Sequence, residues 1–275
     1  MTVALLTVTM ALPALPVQAA DTTSSTLTQS LSPILAGNWR SEKNRARDVY
    51  RHPAETLAFF GVQPGQHLIE ITPGGGWYTE ILAPLLKTSG SYTAAIVSPE
   101  RLEGQNREYY EKARSGLAAK LAGDSEHYGK ARVVEFDVAK PSFGAAGSAD
   151  VVLSFRNVHN WVDAGNEKAY FKAFFEVLKP GGVLGIVDHR AISGTPLEKS
   201  TGYLPDSYVI QLANEAGFQL AATSEVNANP KDTKNHPKGV WTLPPTLAMG
   251  DQDKDKYLAI GESDRFTLRF VKPAR

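Results

Sequence analysis

Three consecutive glycines, Gly74-Gly75-Gly76, follow the apolar run Leu68-Ile-Glu-Ile-Thr72 and precede a second apolar run that starts at Trp77. No other stretch restricts the fold as much. The first run predicts a buried strand, Pro73 to Gly76 a turn, and the residues from Trp77 a helix. Glycine takes positive φ without a Cβ penalty and lets a ligand approach the backbone closely. A helix that opens on such a turn points free N–H groups back at it, which suits anionic or strongly polar ligand groups. Glu70 stands near the carboxyl end of the strand, where open α/β sheets hold ligands. A tight strand–helix turn with no ligand would carry the same signature.

The rest of the chain repeats this alternation. Strands are expected at Tyr92 to Val97, Arg132 to Phe136, Asp150 to Phe155, Val183 to Val187, Phe218 to Val226 and Phe266 to Val271. Between them, Tyr109, Ala113, Leu117 and Leu121 recur at intervals of four, and Tyr170, Phe171, Phe174, Phe175 and Leu178 mark another helical face. Ser98 is expected to cap a helix that starts at Pro99. Lys179-Pro-Gly-Gly182 is read as the turn before the fifth strand. Asn44 to Tyr50 and Ala54 to Phe60 are read as helical, with Pro53 at a first helical position. Ser207 to Ala216 is a further helix. Strands alternating with helices mean an α/β fold with a doubly wound, mostly parallel sheet. The last two strands are joined by a Pro-rich segment, 227–265, far longer than an ordinary connection and therefore a candidate lid.

At 275 residues, 42% hydrophobic and 21% charged, the chain can bury a substantial core. Lys+Arg and Asp+Glu are both 29. With no basic excess, no nucleic-acid partner is expected. Without cysteine there is no disulfide, thiolate metal site or cysteine nucleophile. Residues 1–20 are apolar and end in Val17-Gln-Ala19, which suits a signal peptidase, although a Lys/Arg n-region is missing. The expectation is a secretory signal and an exported, periplasmic protein, or a cytoplasmic one if the segment is not processed. Pro13 and Pro16 and the short run argue against a stable membrane span. Residues 21–43 read as a Ser/Thr-rich flexible leader, and 44–275 as the folded domain.

Five blocks, in order, make the chain resemble class I S-adenosylmethionine-dependent methyltransferases, over about Arg47 to Lys272. They are the Glu70-to-Gly76 turn, the strand ending at Ser98-Pro-Glu100, Phe136-Asp137, Asp150-Val-Val-Leu-Ser154 and Val177-Leu-Lys-Pro-Gly-Gly182. Tyr50-Arg-His-Pro53, Pro73-Gly-Gly-Gly-Trp-Tyr78 and Gly261-Glu-Ser-Asp-Arg265 further resemble a group of exported bacterial methyltransferases. The resemblance implies a seven-stranded sheet of order 3-2-1-4-5-7-6 and S-adenosylmethionine as cofactor. It places Pro73, Gly74, Gly75 and Gly76 under the cofactor's amino acid end and ribose. Glu70 matches the acid that anchors this turn, and Asp137-Val138 the position that meets the adenine. Two positions depart from the pattern. The family's first turn glycine is Thr72, and the acid that binds the ribose hydroxyls is Ile96; Ser98 or Glu100 would have to substitute.

Methyl transfer needs a nucleophile held close and in line, and a base only if the acceptor must lose a proton. At the carboxyl edge of the sheet, His159 is the first candidate for that base, and Asp188 with His189 the second. Arg51 and Arg156 are candidates for the cofactor carboxylate or an acidic acceptor. Trp77, Tyr78 and Trp161 could wall a pocket or simply pack in the core. No metal site is expected: Asp251, Asp253, Asp255 and Glu262 have calcium-loop spacing, but Lys256 replaces the required glycine. The function read here is methyl transfer to a small-molecule acceptor. The alternative is an exported binding protein of this fold that has lost or changed its activity. A dinucleotide oxidoreductase is disfavoured, because Thr72-Pro-Gly-Gly-Gly76 does not fit G-x-G-x-x-G. Oligomeric state is not encoded in any recognisable motif.

Overall fold

The computed structural model describes residues 18–274. Residues 1–17 of the expected signal segment lie outside them. Seven strands form one sheet: β1 His67–Ile71, β2 Ser91–Val97, β3 Arg132–Phe136, β4 Ala149–Phe155, β5 Leu178–His189, β6 Gln219–Ser224 and β7 Arg265–Val271. Their order is β3-β2-β1-β4-β5-β7-β6, as the family resemblance implied. The strands from β1 to β5 pair in parallel, and β7 runs antiparallel to both β5 and β6. β1 is interior, and the order reverses between β1 and β4, where open α/β sheets place a ligand crevice at the carboxyl ends.

Four helices precede the sheet: α1 Gln18–Leu35, α2 Glu42–Arg45, α3 Asp48–Arg51 and α4 Pro53–Phe60. Pro53 occupies the first turn, where its missing N–H costs nothing. α5 Thr79–Leu86 follows the glycine turn, and α6 Gly104–Gly123 and α7 Ser125–Tyr128 lie between β2 and β3. α8 Val158–Ala164 and α9 Glu167–Val177 connect β4 to β5; α10 Asp206–Glu215 and α11 Lys254–Ile260 complete the set. Side chains alternate across the strands, so each strand feeds two cores. Ile69, Ile71 and Val152 face α8, α9 and α10, with Phe171 and Phe174; Leu68, Val151 and Leu153 face α4 and α5, with Phe60, Ile81 and Leu82.

Several expectations change. The stretch read as a flexible leader lies largely within α1, whose Leu27 and Leu31 are buried. One apolar side chain every fourth residue suffices to dock a helix, and serines and threonines hid that stripe. Ser98 makes no side-chain cap, and Pro99–Arg101 is a 3-10 turn; α6 starts later, at Gly104. Lys179 to Gly182 belongs to β5, which meets β4 through a register shift between Ala149 and Val151. The candidate lid is not bare loop: it holds a 3-10 turn, Gly239–Thr242, and α11. No helix among the described residues is long and apolar enough to cross a membrane.

Candidate active site

Two non-glycine residues with left-handed backbone mark the crevice, Thr72 (φ 49°) and Arg156 (φ 61°), at the carboxyl ends of β1 and β4. Such conformations cost about 1–2 kcal/mol and persist where the surroundings hold them. Here the Thr72 amide donates to the Ala95 carbonyl and that of Arg156 to the Val187 carbonyl, each at 2.7 Å. Asn157 Nδ2 donates to the Ile71 carbonyl at 3.0 Å and ties the two strand ends together.

The glycine turn opens onto this crevice. A Cβ on Gly74 or Gly75 would meet no protein atom within 4 Å, whereas one on Gly76 would meet Lys120 and Thr79. Gly74 and Gly75 thus border open space, and Gly76 serves packing. Thr72 Oγ1 beside them is buried and unpartnered among the described residues. Below the turn, Glu70 accepts from Tyr92 Oη at 2.6 Å and Thr79 Oγ1 at 3.3 Å. Burial pushes the Glu70 carboxyl up to about 7, outweighing those two hydrogen bonds.

On the β4–β5 side, Asp188 is wholly buried and its carboxylate accepts three hydrogen bonds. They come from His159 Nδ1 at 2.8 Å, the His159 amide at 3.2 Å and the His189 amide at 2.8 Å. With Nδ1–H donated to a carboxylate, Nε2 of His159 is the proton acceptor. The partner of Asp188 is therefore His159, not the adjacent His189 side chain. Neighbours along a strand point to opposite faces, and the His189 ring turns instead to Ser263 Oγ. Burial, and then the nearby His159 and arginines, push His189 well below the usual imidazole range, so it is neutral at pH 7. Ring centroids of His159 lie 5.1 Å from His189 and 6.0 Å from Trp241. The ligand atoms of His159, Asp188 and His189 lie within 4.8 Å of one another, a metal-type constellation that linear spacing does not announce.

These groups share one cavity of about 370 Å³. Glu70, Pro73, Gly74, Gly75, Arg156, His159 and His189 all border it, and Asp188 stands behind His159. From the long connection, Trp241, Pro244 and Pro245 also border it. Ser98, Asp137 and Val138 do not border it; they lie further along the ends of β2 and β3. Ser98 bonds Glu100, which in turn pairs with Arg114 at 2.6 Å, so neither is free at the ribose position. Asp137 pairs with Arg101 at 2.6 Å and caps the Ala139 amide. Beyond Tyr109 a narrow slot of about 20 Å³ runs along Ile96, Tyr110 and Ala113. Trp77 and Tyr78 border the cavity, whereas Trp161 stacks on Tyr170 in the core, with centroids 4.2 Å apart. Glu262 is not in a calcium loop: it is buried between Arg47, Arg51 and Arg265.

The sequence readings missed Arg47 and Arg265. Both fall in or near the blocks Tyr50-Arg-His-Pro53 and Gly261-Glu-Ser-Asp-Arg265, which were noticed only as resemblances. Residues sharing one ion-pair web but some 211–215 positions apart have no local periodicity to betray them.

Comparison with known proteins agrees with this geometry. Residues 69–186 match the family model of a methyltransferase domain. A SAM dependent methyltransferase from Aquifex aeolicus superposes with TM-score 0.53 at 14% identity, covering 90% of this chain and 98% of that one. A SAM-dependent methyltransferase from Methanosarcina mazei gives 0.50 at 14% identity, over 78% and 95%. The 4+2 cyclase SpnF gives 0.56 at 15% identity, over 94% and 96%. At these identities the solved structures speak for the fold. No curated protein matches the chain.

Proposed function

We propose that this chain, which carries a methyltransferase domain and takes S-adenosylmethionine as its methyl donor, methylates a small-molecule acceptor with His159 as base. The observation that carries the proposal is the buried His159–Asp188 couple, 2.8 Å apart, on the cavity bordered by Gly74 and Gly75. The residues present fit the amino acid end of the cofactor. Glu70 is a buried acid suited to an ammonium, Gly74 and Gly75 leave room for it, and Thr72 Oγ1 lacks a partner. Pro73 and Gly76 shape the turn; an adenosine reaching Ser98, Asp137 and Val138 would have to leave the cavity past Tyr109 and displace the Ser98–Glu100 and Asp137–Arg101 pairs. When bound, the cofactor supplies an electrophilic methyl on a sulfonium. The protein then contributes position and a proton acceptor. His159 Nε2 takes the acceptor's proton, Asp188 fixes the tautomer, and neutral His189 donates or accepts at the cavity wall without adding charge. The 227–265 segment is the lid over this cavity, with Trp241 its contact to His159.

Calorimetric titration with S-adenosylmethionine and S-adenosylhomocysteine tests the proposal; micromolar binding of both is expected. The second reading, an exported binding protein with lost or changed activity, has its own support. Ile96 stands where a ribose-binding acid is usual, and the fold also serves the cyclase SpnF, so fold alone does not fix chemistry. Failure of both ligands to bind would favour it. Export itself is proposed from residues 1–20, and mass spectrometry of the mature N-terminus decides it: an intact Met1 on a cytoplasmic protein ends that idea.

A further inference from the structure

Four arginines, Arg47, Arg51, Arg156 and Arg265, border the cavity, against two carboxylates, Glu70 and Glu262. Glu70 is committed to Tyr92 and Thr79. Glu262 serves three of the arginines at once: Arg47 at 2.5 Å, Arg51 at 3.4 Å, and Arg265. Although burial opposes it, Arg265 and Arg51 hold the Glu262 carboxyl at about 2. Even so, one carboxylate cannot satisfy three guanidiniums. Nη2 of Arg47 and Nη2 of Arg51 are buried without a hydrogen-bond partner among the described residues, and the Arg51 side chain is only 3% exposed. Arg156 makes no ion pair among the described residues, and Glu262 and Asp188 attract it only from a distance. No described carboxylate lies within ion-pair reach of its guanidinium, and burial followed by repulsion from Arg265 pushes it down to about 10.

A guanidinium does not escape by losing its proton at neutral pH, so this surplus stays as positive charge in a poorly solvated pocket. Attraction between a guanidinium and an anion is stronger in such a pocket than in bulk water. The cavity therefore discriminates strongly for anions. The same positive charge disfavours a divalent cation at His159, Asp188 and His189. The cofactor's own carboxylate can meet Arg51 or Arg47, whose α2–α3 region sits against the glycine-turn residue Trp77, with the Arg51 guanidinium 4.6 Å from its ring centre. But the donor brings a sulfonium and an ammonium with it, and is a net cation. It cannot discharge the pocket. Arg156 lies on the same β4–α8 turn as His159, three residues before the proposed base.

We infer that the methyl acceptor carries a carboxylate or phosphate group, and that this group is held by Arg156 while the atom to be methylated faces His159. The inference rests on the methyl-transfer reading for the word acceptor, but not for the anion site itself. An anion on Arg156 also makes the cavity more hospitable to the cationic donor, so acceptor and donor should favour each other's binding.

The test uses the full chain saturated with S-adenosylhomocysteine, titrated calorimetrically with inorganic phosphate, benzoate and neutral benzamide. Phosphate and benzoate should bind, more weakly at higher salt, and benzamide at least tenfold more weakly than benzoate. Arg156→Gln should weaken both anions tenfold or more while S-adenosylhomocysteine affinity stays within threefold; Arg156→Lys should recover most of the loss. If Arg156→Gln does not fold, the Arg156→Lys variant, the salt series and the benzoate–benzamide pair still decide. Equal binding of benzoate and benzamide, or unchanged anion affinity in Arg156→Gln, overturns the inference. So does displacement of S-adenosylhomocysteine by the anions, which would assign the arginines to the cofactor carboxylate alone. Arg156-dependent anion binding by a chain that ignores S-adenosylhomocysteine would instead sink the methyl-transfer reading and leave the anion site standing.

Discussion

The role proposed for His159 depends on a neighbour 29 positions away in sequence. Asp188 holds its Nδ1 at 2.8 Å and leaves Nε2 as the basic atom. His159→Ala should therefore lower turnover of an identified acceptor about a hundredfold, the low end for a lost general base. Asp188→Asn should cost nearly as much, because an amide can present its NH₂ to Nδ1 and turn Nε2 into a donor. The double variant should be no worse than His159→Ala, since residues acting as a unit are not additive. Multiplied losses in the double variant would mean that the two act separately. Both histidine and aspartate were visible in the sequence as polar residues at strand ends. Their pairing was not, because contact across β4 and β5 depends on register. The glycine turn permits a cleaner residue-scale test than its first glycine suggests. Gly74 has φ +59°, so a β-branched side chain there strains the backbone as well as filling the crevice. Gly75 is not in the left-handed region, and its Cβ would meet nothing within 4 Å. Gly75→Val is expected to abolish S-adenosylhomocysteine binding with a melting temperature near wild type. Normal affinity in that variant would remove the ligand from this turn.

Among the elements, the strands were legible because most alternate or run apolar for about five to seven residues between turn signals. Short helices were not. Asn44 to Tyr50 reads as one helix but forms α2 and α3, which leave Arg47 between them facing Glu262 at 2.5 Å. α1 was missed since tertiary docking of Leu27 and Leu31, not propensity, decides its fate. The 227–265 segment was recognised by length and proline content alone. Its interior order comes from buried polar anchors that no periodicity reveals. Asn229 Nδ2 donates to the Ile260 and Glu262 carbonyls, and Asp232 accepts from Tyr203 Oη at 2.9 Å and from the Asp264 amide at 2.8 Å. This ties the two ends of the segment together and leaves its middle, around Trp241, over the cavity. Trp241→Ala should raise the acceptor's KM several-fold and alter cofactor affinity little, because the ring touches the His159 side and not the glycine turn. An equal loss of S-adenosylhomocysteine affinity would show that the segment closes over the cofactor instead.

Across the whole molecule, two buried glutamates give stability opposite dependences on pH. Glu262 joins Arg47 and Arg51 from the N-terminal helices to Arg265 of β7, and its carboxyl is held at about 2 against an ordinary 4.5. A depressed acid stabilises the fold above its unfolded pKa and loses that contribution as pH falls from 4.5 toward 2. Glu70 is raised to about 7 by burial, so its native form holds a proton that the unfolded chain releases. Its sign is reversed: its contribution is complete below 4.5 and is lost as pH rises to 7. Each shift corresponds to about 3 kcal/mol across its window. The Glu70→Gln variant should thus match wild type in urea stability at pH 4.5 and exceed it by up to about 3 kcal/mol at pH 8. Glu262→Gln should lose stability at pH 7, by about 3–5 kcal/mol for a broken buried ion pair, and should lack the decline between 4.5 and 2. On the proposed function, a fold would keep Glu70 at this cost for the cofactor. An ammonium set near the Glu70 carboxylate favours its charged form and pulls the pKa back down. Binding of S-adenosylhomocysteine at pH 6 should then release close to one proton from wild type and almost none from Glu70→Gln. Calorimetry in buffers of different ionisation enthalpy measures that number directly. Equal release from the two proteins would make Glu70 only the structural partner of Tyr92 and Thr79.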